Sequence, residues 1–398
     1  MHYPAHAPHV PDVFLESQDK EVTRDDHDRL LETDSPLREL FVAYAGYPGI
    51  QERVVIEDNA LLRLTNEKPY TYAALLAKAR TSDFTRETSL TPANGFDGQA
   101  SGRLWFKNEY ELTGGSFKLR GAANKILQLS LPELLHGIKA PSHGNHALGC
   151  AIVCHALGIP FHAYMPVGDS SAKMGDLLDW GAILHAEGDD FEAAYAACLR
   201  TDGEAGLATL AHPYDDHQVM TGQSVIAVDL LTRMPKLRRV YVPIGGGGLI
   251  SDTAAVLKEN DPSIEVVGVQ SEHNNSAQLS KLADRREANE SSDSYSDGTA
   301  LKAPGVLTFP NILSCVDRIV TVSNLDIART ILRHEQVYGQ QLEVAGWLAG
   351  AAMHAEAHDA PDNTIAILTG RNVAPEDWAE HTRMLQGSRS AERELQAV

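Results

Sequence analysis

The sequence predicts an α/β fold in which parallel-rich sheets are flanked by helices. Three observations lead there. Beyond Lys118, short apolar runs of strand length alternate with longer helical patterns, as in parallel strands joined by right-handed crossovers. Glycine- or serine-marked loops follow strands or open helices at three separate places, and ligands of such sheets bind at the carboxyl ends of strands. The chain has 398 residues, 43% hydrophobic and 22% charged, which suffices for two domains, or one large unit with a second lobe.

The elements follow in order. Residues 1–35 are polar and acidic and read as a helical arm or a partly disordered one. From Leu37 to Arg80, aromatic and apolar clusters (Phe41, Tyr44, Tyr47, Tyr70, Tyr72) imply packing. Arg103–Lys107 reads as a short buried strand and Phe117–Leu131 as a helix. Gly137–Pro141 is a strand leading into Ser142, and Ala147–Leu157 is a helix with small residues on one face. Then come a strand (Phe161–Met165), a helix (Ser171–Trp180), a strand (Ala182–Ala186), a helix (Phe191–Arg200) and a strand (Leu207–Leu210). A long helix (Val219–Met234) precedes the strand Val240–Ile244, which runs straight into glycines; Val266–Gln270 and Thr364–Leu368 are further strands. Asp284–Gly298 reads as a mobile surface loop and the tail from Gly387 as frayed.

Composition excludes several classes. The net charge of −20 argues against nucleic acid and anionic membrane as partners and favours solubility. There is no apolar run of about 18 residues, so no membrane span is expected. The start lacks a basic n-region and an apolar h-region, and four cysteines make no disulfide scaffold, so a cytoplasmic protein is expected.

The chemistry lies in the three loops. Gly114-Gly-Ser-Phe-Lys-Leu-Arg-Gly121 places Lys118 at a helix start, where the positive helix end favours the uncharged, nucleophilic amine. Ser142-His-Gly-Asn-His146 offers polar groups that suit a carboxylate, and Gly245-Gly-Gly-Gly-Leu249 offers bare N–H groups that suit a phosphate. Together they describe a site for a phosphorylated aldehyde cofactor held as a Schiff base. Each has a plainer reading: a solvated helix-start lysine, a serine cap, a tight turn.

In order along about Thr91–Asn372 stand Gly115–Ala122, Ser142–Ala147, His212–Asp216 with Thr221-Gly-Gln223, Pro243–Ile250, Asp297–Ala300 with Pro304-Gly305, and Leu368–Asn372. This set resembles the fold-type II pyridoxal-phosphate enzymes, closest to their threonine/serine dehydratase and serine racemase branch. The resemblance implies two lobes: a small mobile domain over 136–216, and a large cofactor-binding domain over 71–135 and 217–398, preceded by an extension over 1–70. It implies pyridoxal 5′-phosphate on Lys118, with Phe117 against the ring. The phosphate would sit on Gly245, Gly246, Gly247, Gly248 and Leu249, and Asn145 would meet the 3′-oxygen. Ser142, Gly144, Asn145 and His146 would receive the substrate carboxylate. Thr369 would stand at the pyridine nitrogen, where a neutral hydroxyl disfavours a long-lived quinonoid and favours a leaving group at Cβ. His143 would be an acid/base on the opposite face, or a solvated loop residue.

There are departures from the family. Gly114-Gly115 replaces a Thr-Gly pair, and Gln270 and Ser276 hold the places of two carboxylates of a divalent-metal site, so no metal is expected. Glu343 matches a position near the cofactor. Cys150 and Cys154, one helical turn apart, lack a partner pair for a metal. The expected reaction is α,β-elimination of ammonia from a 3-hydroxy amino acid of threonine or serine type, by a homodimer. A racemase using Lys118 and His143, a β-replacement synthase, and a silent binding protein are the alternatives.

Overall fold

The computed structural model describes residues 68–96, 103–142, 144–167, 171–201, 203–289, 294–374 and 378–386; the expectations for residues 1–35 and for the tail from Gly387 lie outside them. The strands are β1 (Leu90–Pro92), β2 (Leu104–Asn108), β3 (Ile138–Pro141), β4 (Phe161–Met165), β5 (Ile183–Ala186), β6 (Thr209–Leu210), β7 (Arg239–Pro243), β8 (Glu265–Ser271), β9 (Arg318–Val322) and β10 (Thr364–Leu368). They form a four-stranded sheet in the order β5-β4-β3-β6 and a six-stranded sheet in the order β1-β2-β10-β7-β8-β9. Every pairing is parallel except β1 with β2. The expected alternation is therefore present.

The chain forms two compact units. One takes the described residues as far as Arg86 with Lys118–Val225, and the other takes Glu87–Phe117 with the described residues from Ile226 on. The units divide the chain by compactness and the expected lobes divide it by function. Both divisions put β3–β6 on one side and the other six strands on the other, and they assign 71–86, 118–135 and 217–225 differently.

In the first unit, β3 and β4 are buried along their whole length, as central parallel strands covered on both faces must be. Edge strand β5 is half exposed. The helix Lys118–Ile126 packs closely on Asn145–Leu157: a Cβ on Gly149 would stand 3.2 Å from Leu119 N and 3.3 Å from Ala122 Cβ. The Lys118 helix ends five residues before the expected Leu131, at Ile126. A new short helix, Leu131–Leu135, starts there because the Ser130 N–H and hydroxyl both donate to Glu133 Oε2, at 2.9 and 2.6 Å.

In the second unit, β10 lies between β2 and β7, and all five of its residues are buried. Trp347, fully buried in the helix Val344–Ala355, meets Phe96 and Phe106 with ring centroids 5.2 and 5.4 Å away, and its indole N–H donates to Thr330 Oγ1. Lys107 is also fully buried; its ammonium lies 3.5 Å from both Glu109 and Asp229 and donates to Thr88 O. Such a triad specifies one arrangement because removing a member strands the others. Among the described residues no helix is long and apolar enough to cross a membrane.

Gly121 offers the sharpest test of the packing, since a Cβ there would stand 2.8 Å from Val219 O. Gly121→Val is expected to destabilise the protein by about 3 kcal/mol or more, seen as a lower urea midpoint. An unchanged midpoint would show that the helices part at no cost.

Candidate active site

Lys118 is the first residue of its helix and is half-buried. Its Nζ donates to Pro213 O at 2.7 Å, which pins the amine to the segment that follows β6. The Ser142 loop leaves β3 and opens the 13-residue helix Asn145–Leu157. Ser142 Oγ accepts the N–H groups of Gly144 and Ala147, both at 3.4 Å, so this hydroxyl works as a cap as well as a candidate ligand. A Cβ on Gly144 would meet nothing within 4 Å, so the loop faces open space at that point. Asn145, next along, is half-buried. His143 lies outside the described residues.

His146 is placed differently from its loop neighbours. It is 2% exposed, and its Nε2 donates to Ala211 O at 2.9 Å, with Cys150 Sγ 3.6 Å from the same nitrogen. Its Nδ1 is buried without a partner among the described residues. Burial first, and the Lys118 charge second, lower its pKa to about 3, so the ring is neutral. Burial likewise pushes up the Cys150 and Cys154 thiols, which leaves both protonated and inert. Sequence reasoning passed over His212, although it stands in a quoted motif. Its pKa is lowered to about 4, by burial first, with Asp215 opposing and the Lys118 charge adding.

In the second unit, residues 114–117 are laced to the strand that leaves β10. Phe117 N–H donates to Thr369 O, Arg371 N–H to Gly115 O, and the Asn372 side chain to Gly114 O at 2.7 Å. Gly115 has φ +72°, a conformation that suits glycine, and that place needs it whichever residue precedes it. Phe117 is half-buried. Thr369 is 4% exposed, and its hydroxyl donates to Ala345 O at 3.2 Å while keeping lone pairs to accept.

The glycine run forms the turn between β7 and the 11-residue helix Ile250–Asn260. Gly246 O accepts from Thr308 Oγ1 (2.7 Å) and Gly305 N (3.0 Å), which fixes the turn from behind. Gly247 has φ +94°, and a Cβ there would stand 2.8 Å from Thr308 Oγ1. Gly245, Gly248 and Leu249 complete a glycine-rich turn that leads into a helix start, and Ser251 Oγ in the first turn is buried without a partner among the described residues. This donor set fits a phosphate. Gln270 and Ser276 are engaged elsewhere: Gln270 donates to Ile244 O and accepts from Gln278 N, and Ser276 donates to Leu301 O. Glu343 precedes the helix Val344–Ala355 as its N-cap.

Residues 81–370 match the family described as pyridoxal-phosphate dependent enzyme. The chain is 34% identical over 297 residues to an L-threonine ammonia-lyase of Thermotoga maritima, covering 75% of this chain and 74% of that one. Among solved structures, it is similar to processed threonine deaminase isoform 2 of Solanum lycopersicum (TM-score 0.76, 27% identity, 80% and 88% of the two chains). It is similar also to maize serine racemase (TM-score 0.73, 26% identity, 80% and 98%).

The buried imidazoles give the fold a pH dependence. An unfolded histidine binds its proton below about pH 6.5, whereas His146 in the fold resists it down to about 3. Stability from this ring is therefore complete above about pH 6.5 and is lost as pH falls toward 3, on the order of 5 kcal/mol in full. His146→Gln keeps an N–H for Ala211 O and cannot titrate. Its urea midpoint is expected to fall less than the wild type's between pH 7 and pH 4, and parallel curves would refute the assignment.

Proposed function

Because the chain belongs to the fold-type II pyridoxal-phosphate-dependent enzymes, in their threonine/serine dehydratase and racemase branch, we propose that it is an ammonia-lyase that converts a 3-hydroxy amino acid of threonine or serine type to a 2-oxo acid and ammonia. Pyridoxal phosphate, when bound, supplies an aldehyde that takes up the substrate's amino group and a ring that accepts the electron pair left at Cα. Lys118 would hold that aldehyde, and its amine is the group placed to take the Cα proton. The N–H groups of the glycine turn hold the phosphate. Phe117 would pack against the ring, and the Thr369 hydroxyl would serve its nitrogen as a neutral partner. The Ser142–His146 loop receives the carboxylate through Gly144 and Asn145 at the helix start, with Ser142 shaping the loop and His146 packed behind it. A homodimer is the proposed assembly.

The observation that carries this reading is Lys118 itself: an amine at a helix start that donates a hydrogen bond to the neutral carbonyl of Pro213, a contact that contributes about 1 kcal/mol net. In the same unit lies a loop opened by a glycine with clear space before it. A racemase is the second reading, favoured by the likeness to maize serine racemase; His143 would be its second base.

Purified holoprotein is expected to release ammonia and 2-oxo acid from L-threonine or L-serine in a panel of L- and D-3-hydroxy amino acids. Lys118→Ala is expected to lose turnover by at least about 10³-fold, together with the visible cofactor band. A variant that keeps both would sink the proposal. Scrambled chirality in leftover substrate, without oxo acid, would install the racemase.

A further inference from the structure

The segment after β6 holds two of the side chains discussed above: Ala211 O accepts from His146, and Pro213 O accepts from Lys118. His212 stands between them. Its Nδ1 accepts the backbone N–H groups of Tyr214 and Asp215, at 3.3 and 2.8 Å. A ring nitrogen that accepts carries no hydrogen, so the hydrogen of the neutral imidazole is on Nε2. Tyr195 and Tyr214 meet the ring edge-to-face, with centroids 5.4 and 4.6 Å away, and hold its orientation from two sides. His212 is half-buried, and its Nε2 has no partner among the described residues. The result is a rigid N–H donor of fixed tautomer, one residue from the carbonyl that holds the Lys118 amine.

We propose that His212 donates this Nε2–H hydrogen bond to the β-hydroxyl of the amino-acid substrate as that oxygen departs, an assignment that rests on the elimination reading above. Lys118 acts at Cα, and the β-oxygen is attached to the next carbon. The carboxylate is allotted to the helix start at Gly144 and Asn145, which leaves the donor beside Lys118 for the β-substituent. A neutral imidazole polarising an oxygen is an established electrophile. The atoms balance. The Cα–H bond breaks with its proton passing to Lys118 Nζ, a π bond forms between Cα and Cβ, and the Cβ–O bond breaks with its pair on oxygen. The proton taken from Cα ends on that oxygen, giving water, and His212 keeps its own. Its hydrogen bond makes the donor a determinant of specificity for an oxygen leaving group.

The test compares a hydroxy amino acid with β-chloro-L-alanine, whose chloride needs no hydrogen bond to leave. His212→Asn keeps an acceptor where Nδ1 stands, and so keeps the turn, but removes the outer donor. His212→Gln keeps an N–H where Nε2 stands and removes the acceptor. His212→Asn is expected to lower kcat/KM for L-threonine or L-serine by about 10²-fold, chiefly in kcat. For β-chloro-L-alanine the change is expected to stay under about threefold. His212→Gln is expected to unfold at lower urea yet keep the wild-type ratio between the two substrates. Equal losses on both substrates in His212→Asn, or none on either, would overturn the assignment while leaving the elimination reading intact. A wild type that yields oxo acid from neither substrate would defeat both.

Discussion

Three helices of the Lys118 unit approach one another closely at glycines. A Cβ on Gly222 would stand 2.7 Å from both Arg120 O and Gly121 Cα, one on Gly121 2.8 Å from Val219 O, and one on Gly149 3.2 Å from Leu119 N. Backbone therefore comes within reach of backbone at these crossings, and dispersion is gathered over closely spaced helix turns. The geometry that follows has little slack. The crossing fixes the axis of Lys118–Ile126, the axis fixes its first residue, and the first residue is the one whose amine reaches Pro213 O. The helix that begins at Asn145 is set by the same contact, through Gly149. Larger side chains at these glycines would move two functional helix starts at once.

Around that amine the charges are arranged by exclusion of water. His146 and His212 feel the Lys118 charge, and burial holds both neutral at any pH near 7. A charged imidazole there would compete with Lys118 for an anionic substrate and repel its ammonium form. Asp216, a carboxylate in the same segment, is occupied: it caps the helix His217–Arg233 through the N–H groups of Gln218 and Val219, and it pairs with Lys125 at 2.8 Å. The motif His212–Asp216 is thus a single turn with divided duties, one residue holding the turn, one holding the lysine through its carbonyl, and one starting the next helix.

How much of this was legible in the sequence depended on whether burial or partnership decided each element. β4 and β10 match their expected limits residue for residue, because a strand covered on both faces is a continuous apolar run. β1 and β9 were not foreseen. β1 is three residues long and contains a proline, and β9 begins with Arg318 and is mostly half-exposed; both are edge strands whose conformation comes from the neighbour they pair with. The overlong helix from Phe117 failed for a local reason, since Leu127 and Leu129 continue its apolar pattern while Ser130 and Glu133 cap a new one. At the candidate site, Lys118 and the glycine turn stood out in the sequence because a Schiff base and a phosphate cradle demand those residue types. His212 did not, because the role proposed for it follows from which of its two nitrogens the folded turn consumes.

That contrast explains why family membership and reaction are separable here. The groups proposed to hold a phosphate and a carboxylate are largely main chain, and a main-chain N–H treats every amino acid and every fate of Cα alike. Such groups define the cofactor and the substrate's common part. What can tell elimination from inversion is the small set of side chains able to donate or accept a proton near Cα and Cβ. In the reading proposed above that set comprises Lys118, His212 and, by sequence, His143; among the described residues His146 is sealed behind the loop and the neighbouring thiols stay protonated. An enzyme that eliminates needs one base and a partner for the leaving group, whereas one that inverts needs two bases on opposite faces. A donor of fixed tautomer that stays neutral to about pH 4 serves the first need and not the second, because it has no vacant nitrogen with which to accept a proton.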